Sequence, residues 1–363
     1  MTTTDAKDSV SPDGRRDERT LRGLNYPYIE EECPPPGEVL EIAEGVYWVR
    51  MPLPISLQWI NLWLIEDDDG WTIVDTGMGT ETTREHWRSI FESVLGDKPV
   101  TRVVVTHMHP DHIGLAGWIT RKFGARLAMS RLEYVTCRML VSDTGREAPE
   151  AGIEFYQKAG WQEHQVETYK TKFGGFGRVV SRLPDSYDRL EDGDVLTIGG
   201  SDWKIITGCG HSPQHVCLFN AEKNLLISGD QLLPRISSNV SVHPTEPEED
   251  PLTDWIESCD KLITAVPEDV LVLPAHNLPF RGAHVRLAAL IEGHEKSLVR
   301  LHERLDTPRT VPQCFVTLFG RKVGDDILSL ATGETIAHLN CLRARGMAER
   351  TSGPDGVDLY SAL

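Results

Sequence analysis

Short apolar runs recur along the chain and predict β-strands, because buried strands are built from β-branched and large apolar side chains. The first group of predicted strands lies near 46–50, 60–66, 71–75 and 101–106. The second group lies near 195–198, 203–207, 216–219, 225–228 and 270–273. Helical patterns occupy 80–95 and 115–123, and Asp67-Asp68-Asp69-Gly70 predicts a hairpin turn between two strands.

The C-terminal part has a helical pattern of its own. Apolar residues recur at helical spacing from Ala283 to Leu305, which predicts a long helix. Beyond Pro308, residues 324–347 predict two short helices and residues 350–360 a hairpin. We therefore divide the chain into a flexible arm (1–38), a main domain (39–282) and a helical C-terminal region (283–363).

The segment 131–188 separates the two groups of strands and is rich in aromatic residues. A segment of this length after a strand predicts a partly helical lid over a substrate pocket. It contains a basic cluster that could contact an anionic substrate: Lys170, Lys172, Arg178 and Arg182. The alternative interpretation is a solvated surface loop.

Composition narrows the classes of partner. The chain has 363 residues, 40% of them hydrophobic, and carries 37 basic against 55 acidic residues, a formal charge of −18. So negative a chain repels polyanions, which argues against a nucleic-acid partner. The first 23 residues are polar and predict neither a signal peptide nor a membrane span. Seven scattered cysteines without paired spacing are typical of a reducing cytoplasm.

The candidate chemistry begins directly behind the apolar run Val103-Val104-Val105. The segment that follows it places four metal-competent side chains within six positions: His107, His109, Asp111 and His112. Imidazole and carboxylate groups are suitable ligands for zinc. A metal site at this strand end is therefore predicted.

Three further donors follow later strand-like runs. His211, Asp230 and His276 each come after a β-branched or Leu-rich stretch. Strand ends on one edge of a sheet are where active sites gather. The sequence thus offers seven donors from four strand ends, enough for a pair of metals.

The ordered pattern resembles metallo-β-lactamase-fold hydrolases of the glyoxalase II-like group. The resemblance rests on His107-x-His109-x-Asp111-His112, the three later donors, and Val74-Asp75-Thr76-Gly77 upstream. It implies an α+β fold, a four-layer αβ/βα sandwich with the metals in the cleft between its sheets. The C-terminal region is similar to a small winged-helix-like appendage of some relatives, and we expect it to cap the fold or to mediate self-association into a homo-oligomer.

The same resemblance implies roles for individual residues. His107, His109 and His211 would hold one metal, Asp111, His112 and His276 the other, and Asp230 would bridge them. Two zinc ions are expected, although iron or manganese would also be accepted by these donors. Asp111 would orient the nucleophile and transfer its proton. The supporting residues would be Asp75 and His215, and the candidate substrate contacts are Arg178, Arg182, Arg235 and Asn239.

Three functions remain open on the sequence alone. The first is a binuclear metal-dependent hydrolase that cleaves an ester, thioester or lactone bond of a small molecule with a metal-bridging hydroxide. The second is a nuclease of the same fold acting on RNA or DNA. The third is an iron-dependent oxidoreductase similar to persulfide dioxygenases, which would require an open iron site.

Overall fold

The structure is a computed structural model that describes residues 19–363. We expected a flexible arm at residues 1–38. Residues 1–18 of this arm lie outside the described residues. Its remainder is folded: strands β1 (Arg19–Leu21) and β2 (Leu24–Tyr26) form a hairpin. Asn25 exchanges two backbone hydrogen bonds with Arg281, and Leu24 and Tyr26 are buried in the core. These apolar side chains anchor the hairpin on the core, so this part of the arm forms regular structure.

A seven-stranded sheet forms the first half of the fold, and its strands lie side by side in chain order. The strands are β3 (Val39–Ala43), β4 (Val46–Pro52), β5 (Trp59–Asp67), β6 (Gly70–Val74), β7 (Val100–Val104), β8 (Arg126–Ser130) and β9 (Asp188–Leu190). The pairs from β3 to β6 are antiparallel, and those from β6 to β9 are parallel. The predicted strands are confirmed, but β3, β8 and β9 had not been predicted.

A five-stranded sheet forms the second half. Its strands, also in chain order, are β10 (Val195–Ile198), β11 (Ser201–Gly208), β12 (His215–Asn220), β13 (Leu225–Gly229) and β14 (Leu271–Pro274). The first four strands are antiparallel, whereas β13 and β14 run parallel. All five predicted strands of this half are confirmed within one or two residues.

Helices cover the outer face of each sheet. Those of the first half are α1 (Glu81–Ser93), α2 (Pro110–Ile113), α3 (Ala116–Phe123) and α4 (Arg131–Ser142). Alternation along β5 directs Leu62 and Leu64 toward helices α1 and α3, while Trp63 and Ile65 face the second sheet. The predicted four-layer αβ/βα sandwich is confirmed.

The segment between the sheets is partly helical, as predicted. After α4 it contains α5 (Glu150–Lys158) and α6 (Glu163–Lys172). The indole nitrogen of Trp161 donates to Thr332 Oγ1 at 2.9 Å, and Gln165 donates to Asp325 at 3.0 Å. The segment therefore contacts the C-terminal region.

Four helices and a hairpin complete the chain. They are α7 (Pro251–Ala265), α8 (Ala283–Arg304), α9 (Val311–Phe319), α10 (Leu328–Ala344), β15 (Ala348–Ser352) and β16 (Asp358–Ala362). The predicted hairpin is confirmed. Residues 324–347, however, contain one long helix rather than two short ones. Gly333 is accommodated inside α10 because a Cβ there would lie 2.7 Å from Ser241, so close packing explains a residue that ordinarily weakens a helix. Within residues 19–363, no helix is both long and apolar enough to cross a membrane.

Candidate metal centre

The seven predicted donors meet at one edge of the sandwich. β6 and β7 are parallel, and so are β13 and β14, so the carboxyl ends of each pair lie at the same edge. Two backbone hydrogen bonds join the two sheets there: Val216 N donates to Thr106 O at 2.8 Å, and Asn61 N donates to Ala275 O at 2.7 Å. The strand ends thus place distant parts of the sequence around one cleft.

The donors form two groups, and within each group the candidate ligand atoms lie within 4.8 Å of one another. The first group, called group 1 below, comprises His107, His109, His211 and Asp230. The second, group 2, comprises Asp111, His112 and His276. In group 1, His107 Nε2 lies 2.8 Å from His109 Nδ1. In group 2, His276 Nε2 lies 3.4 Å from Asp111 Oδ2.

Asp230 belongs to group 1 but also faces group 2. Its Oδ2 is 3.4 Å from His211 Nε2 in group 1. Its Oδ1 is 3.6 Å from His112 Nε2 and 3.5 Å from His276 Nε2 in group 2. One carboxylate thus offers one oxygen to each group, the arrangement that a shared metal ligand requires.

Unpartnered polar atoms test whether the donors fit cations. Among the described residues, four buried atoms of the cluster lack a hydrogen-bond partner: His112 Nε2, His211 Nε2, His276 Nε2 and Asp230 Oδ1. Buried polar atoms are ordinarily paired, because an unpaired one costs about 1–3 kcal/mol. Imidazole nitrogens and carboxylate oxygens that converge without donors suit divalent metals. The donor set therefore fits divalent metal ions.

The opposite ring nitrogens are fixed by oxygen acceptors. His211 Nδ1 donates to the carbonyl oxygen of Asn239 at 2.7 Å, and His276 Nδ1 donates to that of Trp59 at 2.9 Å. A hydrogen bond at Nδ1 leaves the lone pair on Nε2 and fixes the orientation of the ring. Both rings are held in the form that binds a metal.

Asp75 supports His112 in the same way. Asp75 Oδ2 accepts a hydrogen bond from His112 Nδ1 at 2.7 Å and one from Thr106 Oγ1 at 2.7 Å, while Oδ1 accepts one from Thr106 N at 2.8 Å. Asp75 adopts a left-handed backbone conformation with φ of 60° directly after β6. This turn directs the carboxylate beneath group 2 and leaves it outside the candidate ligand atoms.

His215 lies beside the cluster and contacts the backbone of a donor. Its Nε2 accepts a hydrogen bond from Asp230 N at 3.1 Å, and its ring stacks on His107 with centroids 4.8 Å apart. The approach is close: a Cβ at Gly229 would lie 2.5 Å from His215 Nε2. Only glycine fits between this ring and the backbone that precedes Asp230.

Burial and charge set the protonation of the donors. Burial lowers the pKa of His107 far below its ordinary value and that of His109 to about 3, so both imidazoles are neutral at pH 7. Burial alone would raise the pKa of Asp230, but His276 and His112 outweigh it and hold that pKa well below the ordinary value. For His112, burial acts to lower the pKa, but the carboxylates of Asp75, Asp111 and Asp230 outweigh it and raise that pKa well above its usual range.

Two buried residues that were not predicted from the sequence also contact the donor loops. Glu133 Oε2 accepts from Met108 N at 2.8 Å, and its Oε1 accepts from Ser212 and Gln214. Burial raises the pKa of Glu133, while these three hydrogen bonds act in the opposite direction. Asn61 contacts the loop of His276. Asn61 could have been found in the sequence as the one polar residue of the otherwise apolar run 59–65. No comparable sequence feature marks Glu133.

The four predicted substrate contacts lie in different settings. Arg178, Arg182 and Arg235 are exposed, and Arg182 lies 3.6 Å from Asp185. The guanidinium of Arg235 lies over the ring of Tyr26, 5.6 Å from its centroid. The side chain of Asn239 donates to Glu334 at 2.9 Å and accepts from Ser241. The structure thus gives Asn239 protein partners rather than a free amide.

Comparison with known proteins places this arrangement in a family. Residues 60–299 match the model of the Metallo-beta-lactamase superfamily, and residues 298–363 match that of the Metallo-beta-lactamase-like, C-terminal domain. A solved beta-lactamase domain protein from Burkholderia ambifaria is 37% identical with a TM-score of 0.85, and the match covers 94% of this chain and 98% of that one.

Curated relatives are more distant. The probable metallo-hydrolase YqjP of Bacillus subtilis is 24% identical over 314 residues, which are 83% of this chain and 93% of the relative. The acyl-coenzyme A thioesterase MBLAC2 of Homo sapiens is 24% identical over 249 residues, 65% of this chain and 79% of the relative. On the extent of the family match, the chain belongs to the metallo-beta-lactamase superfamily of hydrolases.

Proposed function

We propose that this protein is a binuclear metal-dependent hydrolase that cleaves an ester, thioester or lactone bond of a small-molecule substrate. The observation that carries the proposal is the cluster of seven donors, in which three imidazole nitrogens and one carboxylate oxygen converge without partners among the described residues. The similarity to an acyl-coenzyme A thioesterase favours a thioester as the first substrate class to test.

His107, His109 and His211 would hold one metal, Asp111, His112 and His276 the other, and Asp230 would serve both. Zinc is the proposed metal because the donors are nitrogen and oxygen atoms, although iron and manganese also accept such ligands. When bound, two dications supply a water of lowered pKa and polarise the substrate carbonyl. This is the chemistry that the reaction needs at neutral pH.

The chain's own residues would orient and deprotonate that water. Asp111 remains ionised, because His112 and His276 outweigh the effect of its burial and lower its pKa. It would accept the proton as the water oxygen bonds to the acyl carbon, and then pass this proton to the leaving sulfur or oxygen as the acyl bond breaks. Asp75 would keep the His112 ring oriented. His215 would fix the backbone at Asp230 through the hydrogen bond described above.

The substrate would be bound by the segment 131–188, acting as a lid, and by residues near the cleft. Arg178 and Arg182 are proposed contacts for an anionic portion such as a coenzyme A phosphate, since both are exposed and cationic. Arg235 is proposed on the same ground. Asn239, whose side chain has protein partners, would contribute through its carbonyl oxygen, which accepts the hydrogen bond from His211.

The finer classification is also a proposal. We place the chain in the glyoxalase II-like branch, because Asp230 occupies the position where lactam-hydrolysing relatives often carry a cysteine. The order of helices followed by a hairpin at residues 311–362 supports a winged-helix-like C-terminal region. This region would cap the fold or support a homo-oligomer. The scattered, unpaired cysteines support a reducing compartment such as the cytoplasm.

The decisive experiment combines metal analysis with a substrate screen. Protein purified without chelator is expected to carry about two zinc ions per chain and to hydrolyse acyl thioesters, esters or lactones. Dialysis against a chelator should abolish turnover, and added Zn²⁺ should restore it. Full turnover without bound metal would refute the proposal. Cleavage of RNA alone would favour the nuclease, and iron alone with oxygen consumption on a persulfide would favour the dioxygenase.

A further inference from the structure

We propose that each metal-holding group has its own buried positioning residue, Glu133 for group 1 and Asn61 for group 2. The inference rests on the proposed two-metal site and extends it to residues that do not ligate. It concerns how two loops from different sheets are kept at ligating distance.

The position of Glu133 follows from the topology of the first sheet. Helix α4 begins directly after β8, which runs parallel to β7, so its first turn lies at the same edge as His107 and His109. The α4 start also approaches the second sheet, since Ser130 Oγ donates to Gln214 O at 2.6 Å. Glu133, the third residue of α4, is fully buried.

The Glu133 carboxylate bonds to both loops of group 1. Its Oε2 accepts from the amide of Met108, the residue between His107 and His109, at 2.8 Å. Its Oε1 accepts from Ser212 Oγ at 2.6 Å and from the Gln214 amide at 2.7 Å, and both residues lie in the loop that follows His211. A buried carboxylate is costly unless it is fully hydrogen-bonded, and here three donors satisfy it. One side chain therefore sets the separation of the ligands that come from the two sheets.

Asn61 performs the corresponding task for His276. From the middle of β5, its Nδ2 donates to Pro274 O at 2.9 Å and to Asn277 O at 2.7 Å, and its backbone amide donates to Ala275 O. The Asn61 Oδ1 accepts from the Trp48 indole at 2.9 Å, which fixes the amide orientation. The three carbonyls bracket His276, and Asn277 beside it has a left-handed φ of 67° that needs such support.

The two sets of contacts do not overlap, so their effects on metal binding should be separable. Loss of a residue that orients ligands typically weakens metal binding about 10- to 100-fold. Glu133→Gln replaces one acceptor oxygen by an NH₂ group that faces another hydrogen-bond donor, so metal binding by group 1 should weaken. Asn61→Ala removes the two side-chain bonds around His276, so group 2 should loosen. A general loss of rigidity would instead weaken both groups together.

The test measures Zn²⁺ affinity by competition with a chromophoric chelator in two single-site backgrounds. His276→Ala leaves group 1 as the intact set, and His109→Ala leaves group 2. We expect Glu133→Gln to weaken Zn²⁺ binding about 10- to 100-fold in the His276→Ala background and less than about twofold in the His109→Ala background. Asn61→Ala should show the reverse pattern. Each variant is the matched control for the other.

Equal weakening in both backgrounds, or none in either, would overturn the assignment. If Glu133→Gln does not fold, Ser212→Ala removes one of the three bonds and should weaken group 1 alone, to a smaller extent. Failure of the proposed function would look different: the unaltered chain itself would then not bind two Zn²⁺ ions, or would bind them and hydrolyse no acyl substrate.

Discussion

The stability of the C-terminal region should depend on the ionisation of Glu334 in helix α10. Glu334 Oε2 accepts a hydrogen bond from Asn239 Nδ2 at 2.9 Å. Burial raises the pKa of Glu334 to about 7 from 4.5, although the bond from Asn239 acts in the opposite direction. The residue is of interest because the Asn239 carbonyl orients His211, so α10 and group 1 are linked through one asparagine.

The sign and size of the effect follow from proton linkage. A carboxyl group whose pKa is raised by folding binds its proton more tightly in the folded state. Its contribution to stability is therefore complete below pH 4.5 and is lost as the pH rises through about 7. At about 1.4 kcal/mol per pH unit, the loss is about 3 kcal/mol in all, of which about 2–3 kcal/mol falls between pH 5 and 8.

Glu334→Gln tests this linkage. The amide cannot ionise, but its oxygen can still accept from Asn239. Urea unfolding from pH 5 to 8 should show the variant gaining about 2–3 kcal/mol relative to the unaltered chain as the pH rises. Glu295→Gln is the control: Arg345 holds the pKa of Glu295 below its ordinary value, so its linkage lies below pH 4.5 and the difference should stay flat. A flat difference for Glu334→Gln, or an equal slope in the control, would refute the reasoning.

Three further predictions address the site. Asp75→Asn leaves His112 Nδ1 facing an amide donor, so we expect the free energy of unfolding to fall by about 1–3 kcal/mol and Zn²⁺ binding to weaken about 10- to 100-fold. Unchanged Zn²⁺ affinity would contradict this. Gly229→Ala places a Cβ 2.5 Å from His215 Nε2 at a positive φ, so we expect a loss of about 1–3 kcal/mol, and a neutral effect in the same assay would be inconsistent with the packing. Arg182→Ala should raise the KM for an acyl-coenzyme A about two- to fivefold at low salt with kcat unchanged, as expected for an exposed ionic contact; an unchanged KM would remove Arg182 from the binding site.

The strands and the metal donors could be predicted from sequence because both depend on local patterns. In the strand Leu225–Gly229 the first three residues form an apolar run, and the candidate ligand Asp230 follows directly after the strand. Parallel neighbours then bring such ends together without further information. The strands that were missed give weaker patterns: Val39–Ala43 is only partly buried, and Asp188–Leu190 has three residues.

The residues that support the donors follow a different logic. Glu133 lies 25 positions from Met108 and 81 from Gln214, and Asn61 lies more than 200 from Pro274. Apart from Ser212 Oγ and the Trp48 indole, their partners are backbone groups, which residues of almost any type can provide. Nothing in the spacing of Glu133 distinguishes it from a surface glutamate in the first turn of a helix, where acidic residues are common for reasons of helix polarity alone.

This difference explains why the chemistry of the site is easier to predict than its tuning. Ligands must be particular residue types at particular strand ends, so a metal site leaves a pattern in one dimension. Orientation of those ligands needs only an acceptor or donor in the right place, and any buried element may provide it: a helix start for group 1, a strand interior for group 2, and a carbonyl at Asn239 for His211. Because α10 holds Asn239 through Glu334, even the C-terminal region takes part in placing a ligand that lies more than 100 residues before it. We therefore expect metal affinity to depend on the packing of the whole chain, whereas the spacing of His107 to His112 is enough to predict a metal site.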